Sequence, residues 1–399
     1  MKYHILFVDD DVRLLEGLQR MLRPMRHEWE MSFVNGGQEA LAFLERTSVS
    51  VVVSDVRMPG LNGVQLLSEI KRLYPQTIRI LLSGQSNEEM ALTAIGAAHQ
   101  YLTKPCEADF LKSTIRRACA MRELLTNTHV RTLVSQIETL PTLPELYLEL
   151  EQELKSSDCC IQKVAGIIGK DVGMMGQILK LVNSAFFGIQ QHITNASHAV
   201  MFLGLETLKT LVLSLQIFKT LRLPASTSFD LPRLQQHSLA TGEVARKIML
   251  AEKADEKMVE ESFAAAMLHD VGLLLLASYF PDRHNESRKI AQEQTISLHE
   301  AEQQILCTTH AEVGAYLLGL WGLPTPIVEA VAFHHNPLGS PNSQFSPLTA
   351  VHVGNILASE GAGCLPEGKL ESHLSMKYLE QVGVKDRIPS WQSLLEVSI

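Results

Sequence analysis

VSVVVSDVRMPGLNG, residues 49–63, opens on a near-continuous apolar run and turns acidic at Asp55. A strand with one wet face alternates apolar and polar residues. A run without that alternation fits a strand buried on both faces, as parallel sheets covered by helices provide. Outward from it, YHILFV (3–8), WEMSFV (29–34), IRILLS (78–83) and QYLT (100–103) read as companion strands. Helix-like stretches at about 11–23, 36–46, 62–74 and 86–97 separate them, with a fifth from near Glu107. Five strands alternating with helices predict a parallel sheet with cover on both faces. In such sheets function collects beyond the carboxyl ends of the strands.

Those ends carry Asp9, Asp10 and Asp11 after the first strand, Asp55 after the third, Ser83 on the fourth and Lys104 after the fifth. Clustered carboxylates make a hard oxygen site of the kind that holds Mg²⁺ together with phosphate oxygens. Aspartate, hydroxyl, lysine and Mg²⁺ together suit phosphoryl transfer: a carboxylate nucleophile, a metal to offset charge, and donors for the phosphoryl oxygens.

Over about residues 1–120 the motifs ILFVDDD, SDVRMPGLNG, LLSG and YLTKP resemble the response-regulator receiver domain. The resemblance implies an α/β flavodoxin-like fold with a five-stranded sheet in the order 2-1-3-4-5. It implies that Asp55 is the phospho-acceptor, that Asp9 and Asp10 hold Mg²⁺ with Asp55, that Ser83 is the switch hydroxyl and Tyr101 the switch aromatic, and that Lys104 meets the phosphoryl oxygens. Asp11 takes a supporting role, and a cis peptide is expected between Lys104 and Pro105. The implied partner is a sensor histidine kinase, a phosphotransfer protein or a small phosphodonor.

From residue 107 to 140 there is no glycine, and no proline until LPTLP, so a single long connector helix is expected there. Strand patterns then give way to helical periodicity, and Pro141 and Pro144 fit a helix start. LPTLP, NSAFFG and FLGLETL resemble the HDOD domain, an output module related to the HD hydrolases. That resemblance implies an all-α domain over about 136–399, including the C-terminal helices.

Within it, FAAAMLHDVGLLLL (263–276) sets His269-Asp270 in an apolar run. The HD superfamily holds a metal with a histidine, a later His-Asp pair and a final aspartate, and His237 and His269-Asp270 match the first three. His310 and His334-His335 match the extra histidines of the HD-GYP cyclic di-GMP phosphodiesterases. Three departures count against hydrolysis: Asn355 stands for the last aspartate, Leu273 for a phosphate-facing lysine, and HHNPLGSP, with Asn336, has no GYP signature. Imidazole and carboxylate ligands suit Fe, Mn, Zn or Ni alike. Histidines paired with each other or with backbone carbonyls would need no metal at all.

A net charge of −9 argues against a broad nucleic-acid surface, and the tail LESHLSMKYLEQVGVKDRIPSWQSLLEVSI offers little positive charge to phosphates. KYLEQVGV and SWQSLLEVSI read as short amphipathic helices that finish the domain. The six cysteines lack zinc-type CxxC spacing and read as reduced thiols. No apolar run reaches the ~18–20 residues of a membrane span, and MKYHILFVDD lacks a basic leader, so the expected location is the cytoplasm. The leading expectation is a two-component response regulator whose phosphorylation at Asp55 controls a helical output acting by binding. Its targets would be a protein or nucleotide effector, with a homodimer as a further possibility. The alternative is a metal-dependent phosphohydrolase of HD-GYP type acting on a cyclic dinucleotide or nucleotide.

Overall fold

The first hundred residues form one five-stranded parallel sheet, ordered β2-β1-β3-β4-β5, in the computed structural model of the chain. The structure describes residues 2–83, 97–125, 127–137, 140–142, 144–156, 158–183, 192–209, 212, 219–220, 229–361 and 374–396. The helix expected at 86–97 and most of NSAFFG lie outside them. The chain divides into two units: apart from short segments, residues 1–138 make the first and 139–399 the second.

In the first unit the strands are β1 (Tyr3–Asp9), β2 (Trp29–Asn35), β3 (Val51–Asp55), β4 (Ile78–Ser83) and β5 (Gln100–Thr103). Helices α1 (Val12–Met21), α2 (Gly37–Leu44) and α3 (Gly63–Leu73) alternate with them, and α4 (Ala108–Leu124) and α5 (Thr128–Val134) follow. All five residues of β3 are buried. Val52 packs with Leu6, Val8, Leu66 and Ile70 on one face of the sheet, while Val51 and Val53, pointing the other way, are equally inaccessible. Each such side chain contributes about 1.5–3 kcal/mol on burial, which is why the apolar run shows no alternation.

The single connector helix expected over 107–140 is not formed. α4 ends at Leu124, and Asn127 starts α5 by accepting from the backbone N–H groups of His129 and Val130 at 3.0 and 3.2 Å. An asparagine side chain competes with the helical backbone and restarts it, so neither glycine nor proline is needed for the break. Asn127→Ala is expected to cost the first unit about 1 kcal/mol, read as a lower urea midpoint for its transition in the full chain. An unchanged midpoint would show that the break does not depend on this cap.

α5 is tied to the sheet by a buried arginine. Arg79, 2% exposed on β4, donates from Nε to Ala97 O at 2.8 Å, from one terminal nitrogen to Thr77 O at 3.2 Å, and from the other to Ser135 O at 3.1 Å. His99 Nδ1 accepts from the Arg79 backbone N–H at 3.0 Å. Its Nε2 therefore carries the proton and donates to the same Ser135 carbonyl at 2.9 Å. One backbone carbonyl just past α5 thus receives two buried donors from the sheet.

Among its described residues the second unit is helical, apart from a two-residue parallel pair, Pro141–Thr142 with Lys219–Thr220. Its helices are α6 (Pro144–Lys155), α7 (Ile161–Ile168), α8 (Val172–Val182), α9 (Ala196–Leu203), α10 (Leu205–Lys209), α11 (Leu231–Ala251), α12 (Glu256–Leu268) and α13 (Val271–Tyr279). Then come α14 (Pro281–Gln294), α15 (Leu298–Leu306), α16 (His310–Leu320), α17 (Thr325–Phe333), α18 (Pro347–Gly361), α19 (Met376–Val382) and α20 (Ile388–Glu396). The core is built where α11, α12, α17 and α18 pack on one another. Against the expectation that no segment could span a membrane, Glu256–Tyr279 is long and apolar enough to do so by length and composition, and 78% of its most apolar 18-residue stretch is buried inside the protein. The two tail helices finish the unit, as expected: Trp391 on α20 is fully buried and its Nε1 donates to Glu252 at 3.0 Å.

Candidate functional site

Two polar clusters stand out, one in each unit. In the first unit, β1, β3, β4 and β5 run parallel and in register, so their carboxyl ends lie side by side. Asp9 (3% exposed) and Asp55 (8%) end β1 and β3, and Lys104 follows β5. Lys104 Nζ donates to Asp9 Oδ2 at 2.6 Å and also to Asp55 Oδ1, bridging the two carboxylates. Burial alone would lower the pKa of this lysine. The bonds to Asp55 and Asp9 outweigh it, so the pKa is raised and the ammonium stays charged.

The remaining carboxylate oxygens are held by backbone donors. Asp55 Oδ2 accepts from Arg57 N at 2.7 Å and Asp9 Oδ1 from Asp11 N at 2.9 Å. Asp10 is exposed beside Asp9. Asp11, expected only in support, caps α1 by accepting from Arg13 N at 2.9 Å. Ser83 is the last residue of β4, paired with Thr103, and Tyr101, which pairs with Leu81, is buried in the core. The Lys104–Pro105 peptide is cis, as the motif led one to expect. A Cβ on Gly63 would come within 1.9 Å of the Asp55 carbonyl oxygen, so α3 can start this close to the acid only with glycine.

In the second unit all seven residues singled out from sequence come together. His237 lies on α11, His269 and Asp270 in the turn between α12 and α13, His310 at the start of α16, His334 and His335 at the end of α17, and Asn355 on α18. Asp270 is the hub. Its Oδ2 lies 3.2 Å from His269 Nε2 and 3.9 Å from His237 Nε2, while its Oδ1 lies 3.4 Å from His310 Nε2 and 3.6 Å from His334 Nε2. His310 Nε2 and His335 Nε2 are 3.0 Å apart, and His237 Nε2 meets Asn355 Oδ1 at 2.9 Å.

The far ring nitrogens fix the tautomers. His269 Nδ1 donates to Ala266 O at 2.6 Å and His334 Nδ1 to Val331 O at 2.8 Å, each bonding back to a carbonyl of its own last helical turn. The Nε2 lone pairs of both are thereby turned inward, and both Nε2 atoms are buried with no hydrogen-bond partner. A lone pair facing a carboxylate with no proton between them is unsatisfied unless a cation lies there. Ligand atoms about 2.1 Å from a shared ion and about 90–110° apart lie roughly 3.0–3.4 Å from one another, close to the separations found. The residues present therefore fit a transition-metal ion.

Charge is distributed unevenly among these groups. Burial pushes the pKa of His334 down to about 4 and that of His335 well down, so both are neutral ligands. Burial disfavours a charged Asp270, but protons on the histidine nitrogens facing it, His269 first, would hold its pKa well below the usual carboxylate range, and a bound ion would take the place of those protons. Burial likewise opposes a charged His310, whereas Glu302 and Asp270 raise its pKa to about 10, so its Nε2 holds a proton that an incoming ion must displace. Sequence reading missed Glu302, a fully buried acid on α15 whose Oε2 accepts from His310 Nδ1 at 2.6 Å and His310 N at 2.8 Å. It also missed His299, stacked on His335 at 4.5 Å between ring centroids. Leu273, where the phosphodiesterases have lysine, packs against Leu231, Leu234 and Leu274.

With this geometry in view, the sequence matches the response regulator receiver domain over residues 5–116 and the HDOD domain over residues 140–337. It is 29% identical over 239 residues to an uncharacterized protein of Treponema pallidum, covering 59% of this chain and 46% of that one. It is 36% identical over 127 residues to the hydrogenase transcriptional regulatory protein HoxA of Cupriavidus necator, covering 31% of this chain and 26% of that one. The chain thus spans less than half the length of either relative. Among solved structures, the MmoQ response regulator of Methylococcus capsulatus shares the fold, with a TM-score of 0.50 and 22% identity over 64% of this chain and 98% of that one.

Proposed function

The chain belongs to the response regulators, a receiver domain followed by an HDOD domain, and from that premise we propose that phosphoryl transfer to Asp55 sets the state of an HDOD output that works by binding. The observation that carries this reading is the Lys104 ammonium bridging Asp9 and Asp55 at the mouth of a parallel sheet. A receiver implies a histidine kinase or phosphotransfer partner.

In the proposed step an Asp55 carboxylate oxygen attacks the phosphorus of a phosphohistidine or of acetyl phosphate. The new O–P bond forms as the donor's P–N or P–O bond breaks, and the electron pair leaves with the donor. Lys104 moves from Asp55 Oδ1 to a phosphoryl oxygen, keeping Asp9 as its anchor. Mg²⁺ held by Asp9, Asp10 and Asp55 supplies charge compensation for the phosphoryl oxygens when bound. The Ser83 hydroxyl then binds a phosphoryl oxygen, and Tyr101 repacks with it, so the two receiver states differ in the surface they offer.

The output is assigned to binding because of what surrounds the histidine cluster. Leu273 lies in an apolar patch where a cation would be needed, and Asn355 adds no charge. Without those groups a metal there, whether Fe, Mn, Zn or Ni, lacks electrostatic help for a phosphoryl transition state. The targets are a protein or nucleotide effector, or a second copy of the chain, met in the cytoplasm.

Incubated with acetyl phosphate and Mg²⁺, the full chain is expected to take up one phosphoryl group per molecule, released by neutral hydroxylamine and mapping to Asp55. No uptake, or uptake on another residue, would sink the receiver reading. Turnover of a cyclic dinucleotide by the metal-loaded chain would overturn the binding reading in favour of hydrolysis.

A further inference from the structure

The seven-residue cluster is not symmetrical about Asp270. On the Oδ1 side stand His310, His334 and His335. The Nε2 atoms of His310 and His334 lie 3.4 and 3.6 Å from that oxygen, and His335 Nε2 lies 3.0 Å from His310 Nε2. These four residues form one group whose ligand atoms all lie within 4.8 Å of one another. The His334 ring is fixed from behind by Val331 O, and that of His310 by the Glu302 carboxylate. His334 Nε2 is a fully enclosed lone pair with nothing to accept from.

The Oδ2 side is built differently. His269 is tethered like His334, but His237 Nε2 already has a partner, Asn355 Oδ1 at 2.9 Å, and sits 3.9 Å from Asp270. On the Oδ1 side His310 Nε2 is paired too, but its partner is His335 Nε2, a second ligand nitrogen that an ion can take together with it, whereas to ligate an ion on the Oδ2 side His237 must give up its bond to Asn355 and leave a neutral amide facing the metal. Neutral amides compensate a dication less than carboxylates do, and a broken bond that leaves a half-buried acceptor unpaired costs further.

We propose that the cluster holds one divalent transition-metal ion, seated on the Asp270 Oδ1 side among His310, His334 and His335, with Glu302 as the positioning residue behind it and the His237–Asn355 pair left as a protein-only hydrogen bond. This rests on the reading that the cluster binds metal at all. Glu302 acts through His310: its Oε2 holds Nδ1 at 2.6 Å and so keeps Nε2 aimed at the ion. It also sets a second carboxylate behind the Oδ1-side ligands, one that the Oδ2 side lacks among the described residues. Removal of carboxylate partners behind ligating histidines typically weakens a metal 10–100-fold.

Zn²⁺ binding to the full chain, by equilibrium dialysis with elemental analysis, tests the arrangement. The expected stoichiometry is one ion per chain. His237→Ala should leave the affinity within about threefold, His334→Ala should abolish tight binding, and Glu302→Gln should weaken it about 10–100-fold. Asn355→Asp should open a second site. With Co²⁺ in place of Zn²⁺, the visible ligand-field spectrum should be unmoved by His237→Ala and changed by Glu302→Gln, a readout that loss of stability alone does not produce. Two ions in the wild type, loss of the ion in His237→Ala, or an unaltered Glu302→Gln would each overturn the assignment while leaving metal binding intact. No ion in the wild type after loading would overturn the metal reading itself.

Discussion

Asp55→Asn is expected to reduce acetyl-phosphate labelling of the full chain to background while leaving it folded. Asparagine keeps the shape of the side chain, and its carbonyl oxygen can still accept from Arg57 N, now at 2.7 Å from the carboxylate. The amide is not a nucleophile of comparable strength, so the O–P bond has no carboxylate to form from. Folding should survive because the site places two nearly buried carboxylates around one ammonium. Removing one of two like charges relieves repulsion between them and leaves Lys104 paired with Asp9 at 2.6 Å. The variant should therefore melt no lower than the parent. Residual labelling near the parent level would show that another acid receives the phosphoryl group, and a fall in melting temperature would show that Asp55 holds the sheet together instead of waiting for substrate.

The second large effect is expected at Gly272→Ala. A Cβ there would stand 1.9 Å from the His310 carbonyl oxygen and 2.6 Å from its carbon, both backbone atoms that cannot swing aside. On the opposite helix, Gly314 has the Gly272 nitrogen 3.1 Å from its own would-be Cβ, so α13 and α16 touch through two glycines. This contact brings His310 next to Asp270. One added methyl must push α16 outward, and overpacking with no room to relax costs about 3 kcal/mol or more. For a unit of this size that lowers the melting temperature by roughly 6–12 °C. Zn²⁺ affinity should fall with it, because His310 leaves with the helix. A variant that melts within about 1 °C of the parent would mean the two helices are not in backbone contact.

The sheet was legible because burial on both faces writes itself into sequence as unbroken apolar runs, and strand ends are easy to find once the runs are found. All five strands lie within two residues of their expected bounds at every end. The histidine cluster was legible in membership but not in use. Nothing local distinguishes Glu302 from Glu300 in LHEAEQQIL, yet Glu300 caps its own helix at the surface while Glu302 is fully buried behind His310. That difference is set by what packs against α15, which no window of sequence contains. The break after α4 escaped notice for a related reason. Its signal is a single asparagine whose side chain can serve a helix start or merely point into water, and only the formed structure shows which.

The buried arginine on β4 bears on how such proteins can be rearranged. Because Arg79 and His99 both grip the carbonyl of Ser135, the chain remains committed to the receiver well past the point where its last long helix stops. A graft that cut the chain after Leu124 would strip Arg79 and His99 of this shared acceptor and would carry a weakened module into its new host. The transferable piece, whether moved by recombination or by an engineer, ends beyond Ser135 and before residue 140, where the HDOD match begins and just past which Pro141–Thr142 already pair within the second unit.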